Sequence, residues 1–276
     1  MLVVNKKQME QMMGRRPLEG TAAIVTGSTS GIGLGIARAL AEGGAAVMLN
    51  GFGDKTEIET LRASLAENND VDIAYNGADM SKPEAIRAMA AEARERFGHV
   101  DIVVNNAGIQ HVSPIETFPP QKWDQIIAID LSSAFHLVQA TFAAMKERRF
   151  GRIINISSAH GLIASPFKSA YVAAKHGIVG FTKVIALEGA EFGITSNAIC
   201  PGYVWTPLVE KQIDDQAKSH GIPRDQVIRD VLLVNQPNKR FATVQEIGAL
   251  TVFLAGESGA SITGTALPVD GGWTAH

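Results

Sequence analysis

Gly27-Ser28-Thr29-Ser30-Gly31-Ile32-Gly33 is the stretch of sequence that decides the fold. An apolar run at residues 22–26 precedes it and predicts a strand, and the helical pattern of residues 34–42 follows it. Glycines in such a turn let the backbone approach a pyrophosphate at the N-terminus of the helix. A glycine loop alone also suits an ordinary turn. The strand before it and the helix after it favour a dinucleotide site.

The alternation of short apolar runs with helical patterns continues along the chain. Further strands are predicted at residues 46–49, 71–75, 100–104, 152–156, 194–199 and 266–269. Helices are predicted at residues 56–65, after Ser81 as N-cap, at 123–145, from Ser169 onward, near 208–219 and 224–234, and at 244–254. This order predicts a single-domain α/β fold: a Rossmann-type, doubly wound parallel sheet of about seven strands with helices on both faces.

The predicted domain covers residues 18–276, and residues 1–17 form an N-terminal extension. The polar, irregular stretch 203–240 is interpreted as a helical lid over the substrate. The first sixteen residues carry four basic side chains but no apolar core, so they do not resemble a secretory signal.

Composition excludes several classes of protein. The chain has 276 residues, 46% of them hydrophobic, and a net charge of -3 without a basic run, which argues against nucleic-acid binding. The single cysteine, Cys200, lies in an apolar stretch and is interpreted as a buried structural thiol in a reducing compartment. Because we find no uninterrupted apolar run of membrane-spanning length, we expect a cytoplasmic protein without a membrane partner.

Tyr171 and Lys175 stand four residues apart at the start of a predicted helix, so they share one face. An ammonium close to a phenol favours the phenolate, and the pair can therefore exchange protons at neutral pH. The same spacing is common in ordinary surface pairs, so it gains weight only from other motifs.

The residues after the second strand bear on the choice of cofactor. Asn50-Gly51-Phe52-Gly53-Asp54 contains no Arg or Lys to receive the extra phosphate of NADP, and the glycine loop contains none either. NAD is therefore favoured. Asp79 after the third strand could meet the adenine amino group, and Asn106 ends the fourth strand near the expected crevice. Either residue could equally be an ordinary loop residue.

The glycine loop, Asn105-Asn106-Ala107-Gly108, Ser158, the Tyr171/Lys175 pair and Pro201-Gly202 occur in one order along the chain. With these motifs the chain resembles the short-chain dehydrogenase/reductase family from Leu18 to its C-terminus. Within the family it is similar to the bacterial D-3-hydroxybutyrate dehydrogenases, through stretches such as Gly108-Ile109-Gln110-His111 and Asp270-Gly271-Gly272-Trp273. That resemblance implies oxidation of (R)-3-hydroxybutyrate to acetoacetate with NAD, in a homotetramer and without a metal ion.

The resemblance also implies roles for single residues. Ser158 would polarise the substrate oxygen, Tyr171 would be the acid/base, and Lys175 would hold the nicotinamide ribose. The residues expected to bind the substrate, in addition to Ser158 and Tyr171, are Gln110, His160, Lys168, Gln212 and Trp273. The residues expected to contact the cofactor, in addition to Tyr171 and Lys175, are Gly27, Thr29, Ser30, Gly31, Ile32, Gly33, Phe52, Asp79, Asn106, Pro201, Val204 and Thr206.

The chain departs from the family pattern at three positions. Asp130 stands where the family usually has a catalytic asparagine, and an ionised carboxylate there would oppose the effect of Lys175 on Tyr171. Tyr203 and Trp205 stand where resembling enzymes often have tryptophan and a polar residue, respectively. These changes leave open the chain length of the preferred hydroxy acid.

Three alternatives remain at this point. Another hydroxy-acid dehydrogenase of the same family would differ in the substrate pocket. A reductase of 3-oxoacyl groups that uses NADPH would need a basic residue in the glycine loop or after the second strand. A dinucleotide-sensing regulator without turnover would not need the intact set of Ser158, Tyr171 and Lys175.

Overall fold

The computed structural model describes residues 16–275 and has seven parallel strands in one sheet. The prediction that residues 1–17 form an extension therefore lies almost wholly outside the described residues. The spatial order of the strands is β3-β2-β1-β4-β5-β6-β7. The strands are β1 Ala22–Val25, β2 Ala46–Asn50, β3 Ile73–Asn76, β4 Ile102–Asn105, β5 Gly151–Ile156, β6 Ile194–Pro201 and β7 Ala266–Val269. The predicted doubly wound sheet is confirmed.

The strand order reverses between β1 and β4, which pair in parallel with Ala23 opposite Ile102. Chains of this topology leave a crevice at the carboxyl ends of the strands where the order reverses. The glycine loop follows β1 and the Asn106 turn follows β4, so both border that crevice.

Helices cover both faces of the sheet. They are α1 Gly31–Glu42, α2 Lys55–Asn69, α3 Pro83–Phe97, α4 Pro120–Ile127, α5 Ser133–Arg148, α6 Ser169–Gly189, α7 Pro207–His220, the short α8 Arg224–Gln226 and α9 Val244–Ala255. One apolar core places α1 and α9 against the sheet, with Ile36 and Leu254 fully buried. The other places α3, α5 and α6 against the opposite face, with Met89 and Leu137 fully buried. Burial on both faces explains why the strands are almost continuously apolar.

The helix predicted at residues 123–145 is interrupted. A π-helical turn, Ala128–Ser132, separates α4 from α5. The apolar pattern does not reveal this turn, because it is a single-turn irregularity inside an otherwise continuous helix. The turn carries Asp130 toward the interior, where the residue is 4% exposed.

The predicted N-cap Ser81 was wrong. The N-cap position of α3 is Lys82, whose side chain makes no capping bond. Ser81 instead donates its hydroxyl and its backbone N–H to Asp79 Oδ1, both at 2.8 Å. The Asp79 turn competes for the serine, because Asp side chains readily accept hydrogen bonds from the backbone two residues on.

The predicted lid contains a helical unit with its own small core. Ile213 of α7 packs with Val227 and Leu232, which belong to a second π-helical turn, Val227–Leu232, after α8. Both ends of the lid stretch meet at one place. Trp205 N donates to Ala242 O at 2.8 Å, and Ala242 N donates to Tyr203 O at 2.9 Å. The buried Gln236 accepts from Tyr203 N at 3.0 Å and donates to Arg240 O.

Two helical stretches, Pro120–Arg148 and Ser169–Phe192, are long and apolar enough to cross a membrane. They also carry the buried polar groups Asp130 and Lys175. Their packing against the sheet is what core helices of a doubly wound fold require.

Candidate active site

The glycine loop is tied to its neighbours by amide hydrogen bonds. Asn106 Nδ2 donates to Thr26 O at 2.9 Å and to Gly27 O at 3.0 Å. Asn50 Oδ1 accepts from Gly27 N at 3.2 Å. Gly33 comes so close that a Cβ atom there would lie 2.2 Å from Gly27 O and 2.4 Å from Asn106 Nδ2. These bonds tie the loop to β4 and β2, and a side chain at its last glycine would clash with the backbone.

The loop presents free donors toward the cleft. Ser30 is the N-cap of α1, yet its side chain makes no capping hydrogen bond. The backbone N–H groups of the first helical turn have no acceptor within the helix. Above Gly31, which has a φ of +56°, the nearest atom to an added Cβ is Thr206 Cγ2 at 3.9 Å. An anionic pyrophosphate fits this position, because it would accept from those N–H groups at the positive end of the helix.

The cleft has a volume of about 510 Å³ and runs along the carboxyl edge of β1, β2 and β4. Ten of the residues predicted to contact the cofactor line it, namely Gly27, Thr29, Ser30, Gly31, Ile32, Gly33, Phe52, Asp79, Asn106 and Thr206. Thr206 closes it from the lid side. Pro201 and Val204 do not line the cleft. Pro201 is buried at the end of β6, and Val204 is buried where it forms a bridge with Ala242.

The one acid in the stretch after β2 caps a helix. Asp54 Oδ1 accepts from Thr56 N at 2.8 Å and from Glu57 N at 3.0 Å, so its carboxylate caps α2. Asn50 is fully used, because its Nδ2 donates to Asn76 O and Ala78 O. Phe52 is 70% exposed and forms the open flank of the cleft. Within residues 16–275, the cleft lining contains no Arg or Lys.

Tyr171 and Lys175 share one face of α6, as the spacing predicted. Lys175 Nζ lies 5.5 Å from the centre of the Tyr171 ring. Lys175 is 4% exposed and donates to Ile156 O, at the end of β5, at 3.0 Å. This bond holds the ammonium under the edge of the sheet, next to the phenol.

Asp130 lies against Lys175 rather than in the cofactor cleft. Its Oδ1 accepts from Ile109 N at 2.8 Å, and its Oδ2 lies 3.7 Å from Lys175 Nζ. Oδ2 is buried and has no hydrogen-bond partner among the described residues. Burial raises the pKa of this carboxyl, while the charge of Lys175 and the bond from Ile109 act in the opposite direction.

Ser158 and His160 are held by a 3-10 turn, Ala159–Gly161, that follows β5. Ser158 Oγ accepts from His160 N at 3.1 Å, and His160 Nε2 lies 2.8 Å from Ser165 Oγ. The turn rests directly on α6, because a Cβ at Gly161 would lie 2.7 Å from Lys175 O. Only a glycine lets Ser158 come this close to the Tyr171 helix.

Aromatic rings form the wall beside Tyr171. The His160 ring lies 6.1 Å from the Tyr171 ring and 5.2 Å from the Trp273 ring, both edge to face. Trp273 and Tyr203 stack with 5.9 Å between centres and 3° between planes. These contacts join segments that are far apart in the sequence and leave an apolar surface close to the reactive phenol.

The wall also has a distinct electrostatic character. Burial, followed by the nearby charge of Lys168, lowers the pKa of His160 to about 4. The imidazole is therefore neutral near pH 7. Lys168 stands at the N-cap position of α6, half-buried, and burial lowers the pKa of its ammonium. A cation in this position can attract a carboxylate.

The two glutamines predicted to bind substrate make no hydrogen bond to the other predicted substrate residues in the described part of the chain. Gln110 is exposed in the loop after β4, and Gln212 is half-buried on α7. Trp205 is 40% exposed and packs against Phe241 at 5.2 Å, on the lid side of the wall.

Sequence reasoning missed four residues that shape the site. Ser165 orients His160, Gly161 seats the Ser158 turn, Asn50 fixes the glycine loop, and Gln236 fastens the lid. Gly161 had a signal, because a glycine directly after Ser158-Ala159-His160 suggests a close backbone approach. The other three had none, since their partners are remote or common loop residues.

Cys200 is buried, and burial raises the pKa of its thiol to about 11, which suits a structural thiol rather than a nucleophile. Among residues 16–275, no three His, Cys, Asp or Glu side chains are grouped to hold a metal ion.

Comparison with known proteins adds three findings. A sequence model described as enoyl-(acyl carrier protein) reductase matches residues 27–274. A D-beta-hydroxybutyrate dehydrogenase of Rhizobium meliloti (strain 1021) is 57% identical over 254 residues, covering 92% of this chain and 98% of the relative. Another, from Cupriavidus necator, is 54% identical over 260 residues, covering 94% of this chain and 100% of the relative.

A solved structure is also similar. The crystal structure assigned as a gluconate dehydrogenase from Agrobacterium tumefaciens superposes with a TM-score of 0.84 at 32% identity, covering 94% of this chain and 98% of the other.

Proposed function

Since the chain belongs to the short-chain dehydrogenase/reductase family, we propose that it oxidises (R)-3-hydroxybutyrate to acetoacetate with NAD, in a reversible reaction. The family makes it an oxidoreductase. The two curated relatives, each covered almost completely, support the choice of substrate.

The cofactor site consists mainly of backbone. The free N–H groups of the first turn of α1 would receive the pyrophosphate, Asp79 would meet the adenine, and Thr206 would meet the nicotinamide carboxamide. When bound, NAD supplies the acceptor for a hydride from the carbinol carbon. The preference for NAD over NADP is supported by the lack of a cation in the described lining of the cleft.

The substrate is held at both ends. Lys168 provides a cation for its carboxylate, and Gln110, Gln212 and neutral His160 provide further hydrogen-bonding groups. Trp273 stands at the methyl end, on the aromatic wall. Fixing the carboxylate orients the carbinol toward the phenol, and orientation alone can contribute a large part of the rate.

Proton transfer occurs at Tyr171. In oxidation, the Tyr171 oxygen takes the hydroxyl proton while Ser158 donates a hydrogen bond to the same substrate oxygen. Lys175, held by Ile156 O, keeps positive charge beside the phenol and favours its ionised form. In reduction, the proton returns from Tyr171 to the oxygen.

The observation that carries the proposal is that the His160 ring contacts both Tyr171 of α6 and Trp273 near the C-terminus. Tyr171 lies over Lys175 on α6, next to His160 of the Ser158 turn, and His160 in turn touches Trp273 near the C-terminus. The decisive experiment supplies purified protein with NADH and acetoacetate, and with NAD and each enantiomer of 3-hydroxybutyrate. We expect turnover of acetoacetate and of the (R) enantiomer. Absence of acetoacetate reduction would contradict the assignment of 3-hydroxybutyrate as the substrate.

The same assay separates the alternatives. Reduction of 3-oxoacyl thioesters with NADPH, faster than acetoacetate reduction with NADH, would favour a reductase of carrier-linked substrates. Such a reductase of Haemophilus influenzae is 36% identical to this chain. Preferred turnover of a longer hydroxy acid would indicate another dehydrogenase of the family. Binding of NADH without turnover of any hydroxy acid would indicate a sensor.

We also propose a cytoplasmic homotetramer without nucleic-acid or membrane partners. Exposed apolar side chains on α5 and α6, namely Phe135, Val184 and Leu187, support association with further copies. Light scattering that gives the mass of four chains would agree, and a monomer mass would contradict it.

A further inference from the structure

We propose that residues 1–15 of this chain dock in the groove between α1 and α9 and cover the indole of Trp205. The inference goes beyond the proposed activity and does not depend on the substrate. It assigns an occupant to a surface that lies outside the aromatic wall and behind the cofactor cleft.

The groove has a volume of about 880 Å³, larger than that of the cofactor cleft. One side of α1 and one side of α9 form its walls, and the start of α7 closes one end. Its apolar lining includes Leu34, Val244, Val252, Trp205 and Pro207. Trp205 is 40% exposed, and the valines and Leu34 are half-buried. Contiguous apolar surface rimmed by polar side chains marks an interaction site.

The described part of the chain enters at the other end of this groove. Pro17 belongs to the lining, next to Glu42 and Gly43 at the C-terminal end of α1. Leu18 N donates to Gly43 O at 2.8 Å, which fixes the point of entry. The segment before Pro17 is therefore attached to the groove, and attachment by a short linker gives it an effective concentration on the order of millimolar.

The length of this segment suits the groove. The 12 residues of α1 give a wall about 18 Å long. Residues 1–15 span about 22 Å as a helix and up to about 50 Å when extended. In either form they reach from Pro17 to Trp205.

The composition of residues 1–15 complements the lining. Met9, Met12 and Met13 recur at intervals of three and four residues, which predicts one apolar face. Methionine side chains are flexible and polarizable, so they fill irregular apolar surfaces well. The segment can thus cover the valines of α9 and Trp205.

The charges agree with the direction that the attachment imposes. The groove carries Arg38 on the α1 wall and Glu210 at the Trp205 end, where Arg224 approaches Glu210 at 4.0 Å. Counted back from Pro17 at the helical rise, Glu10 would stand near the level of Arg38. Lys6 and Lys7 would stand near the level of Glu210, so opposite charges meet at both places.

An occupant of this groove also touches the start of the lid. Gly31, Thr206 and Pro207 line both the groove and the cofactor cleft. Residues 1–15 would therefore pack behind the turn that closes the cleft.

The test is a cross-link in the full chain with NADH bound. Ala249 is an exposed residue of the α9 wall, and Ala91 is exposed on α3, at the opposite face of the sheet. Gln11→Cys is combined with Ala249→Cys or, as the matched control, with Ala91→Cys, and each variant is treated with a bismaleimide. The native Cys200 is buried and does not compete. We expect a link within one chain to position 249 and none to position 91.

A second pair of variants tests the apolar face. Met9→Ser with Met12→Ser should abolish the link to position 249, because it removes the side chains that bind the groove. Asn5→Ser with Gln8→Ser, at the same interval, should retain it. NADH fluorescence checks that each variant is folded.

Equal links to positions 249 and 91, or a link that survives the loss of both methionines, would overturn the proposal. Links that form only between chains would overturn it too and would indicate a second copy in the groove. Cross-linking needs no turnover, so a failed substrate assignment would appear separately, as missing activity.

Discussion

The glycine loop after β1 and the lid after β6 border the same cleft, but different kinds of contact hold them. The loop is fixed by amide and backbone hydrogen bonds from Asn106 and Asn50, and a Cβ at Gly33 has no room. The lid side depends on side-chain rings. Tyr203 stacks on Trp273, Trp273 contacts His160, and the lid helices pack around Ile213.

This difference implies a division of labour. A surface of backbone donors suits any dinucleotide, because a pyrophosphate is the same in each. A surface of side chains drawn from several segments suits one small substrate, and changes there alter selectivity without touching the loop. Substitutions on the cofactor side should therefore affect NADH binding, and substitutions on the substrate side should affect KM for the hydroxy acid.

The largest effect is expected at the phenol between the two sides. Tyr171→Phe removes the proton acceptor and should lower kcat about thousandfold, as expected for loss of a general acid/base. NADH should still bind with nearly unchanged affinity, since the cleft is intact. Stopped-flow turnover and NADH fluorescence measure the two quantities. A variant that retains a tenth of the activity would contradict the assignment.

The cofactor side is tested by Gly33→Ala. The added Cβ would lie 2.2 Å from Gly27 O, so the loop must shift, and overpacking of this kind costs about 1–3 kcal/mol. The dissociation constant for NADH should rise by up to about hundredfold. Gly180→Ala is the matched control, because nothing lies within 4 Å of a Cβ there. Equal NADH affinity in the two variants would refute a rigid loop.

On the substrate side, Lys168→Ala should raise KM for acetoacetate about tenfold to hundredfold, the range for loss of a hydrogen bond to a charged group. The effect on kcat should be much smaller than that of Tyr171→Phe. Lys168→Arg keeps the cation and should recover part of the affinity. Methyl acetoacetate, which lacks the carboxylate, should not distinguish Lys168→Ala from the parent chain. If it does, the lysine acts in some other way.

The smallest effect concerns stability at acid pH. The pKa of His160 in the folded chain is about 4, below its ordinary value of 6.5, so the unfolded chain binds a proton at higher pH. The stabilisation of the folded state that comes from neutral His160 is complete above about pH 6.5. As the pH falls toward 4 it is lost, and the free energy of unfolding falls by at most about 1.4 kcal/mol per pH unit. Urea unfolding of His160→Gln should show a flatter pH dependence. His176→Gln, at an exposed histidine, should match the parent chain.

The sheet and the cofactor cleft could be predicted from the sequence, whereas much of the substrate side could not. Strands buried on both faces are continuous apolar runs, and a glycine loop has a fixed spacing, so the sheet and the cleft were predictable. The π-helical turn around Asp130 was not, because it is a single-turn irregularity inside an otherwise continuous helical pattern. The stacking of Tyr203 on Trp273 joins residues that no local pattern relates.

Asp54 illustrates a related ambiguity. An acid just after β2 can hold a ribose or cap a helix, and here it accepts from Thr56 N and Glu57 N. The sequence offers both uses, and only the direction of the side chain decides between them.

The two ends of the lid stretch lie side by side, and this has a consequence for insertions and deletions between them. The stretch begins just after β6 and ends just before α9, where an isolated bridge pairs Val204 with Ala242 and the side chain of Gln236 accepts from Tyr203 N. Because both anchors stay together, adding or deleting residues between them changes the entropy of loop closure by little. Changes in the length of this stretch should therefore leave the dinucleotide cleft unchanged while altering the substrate side.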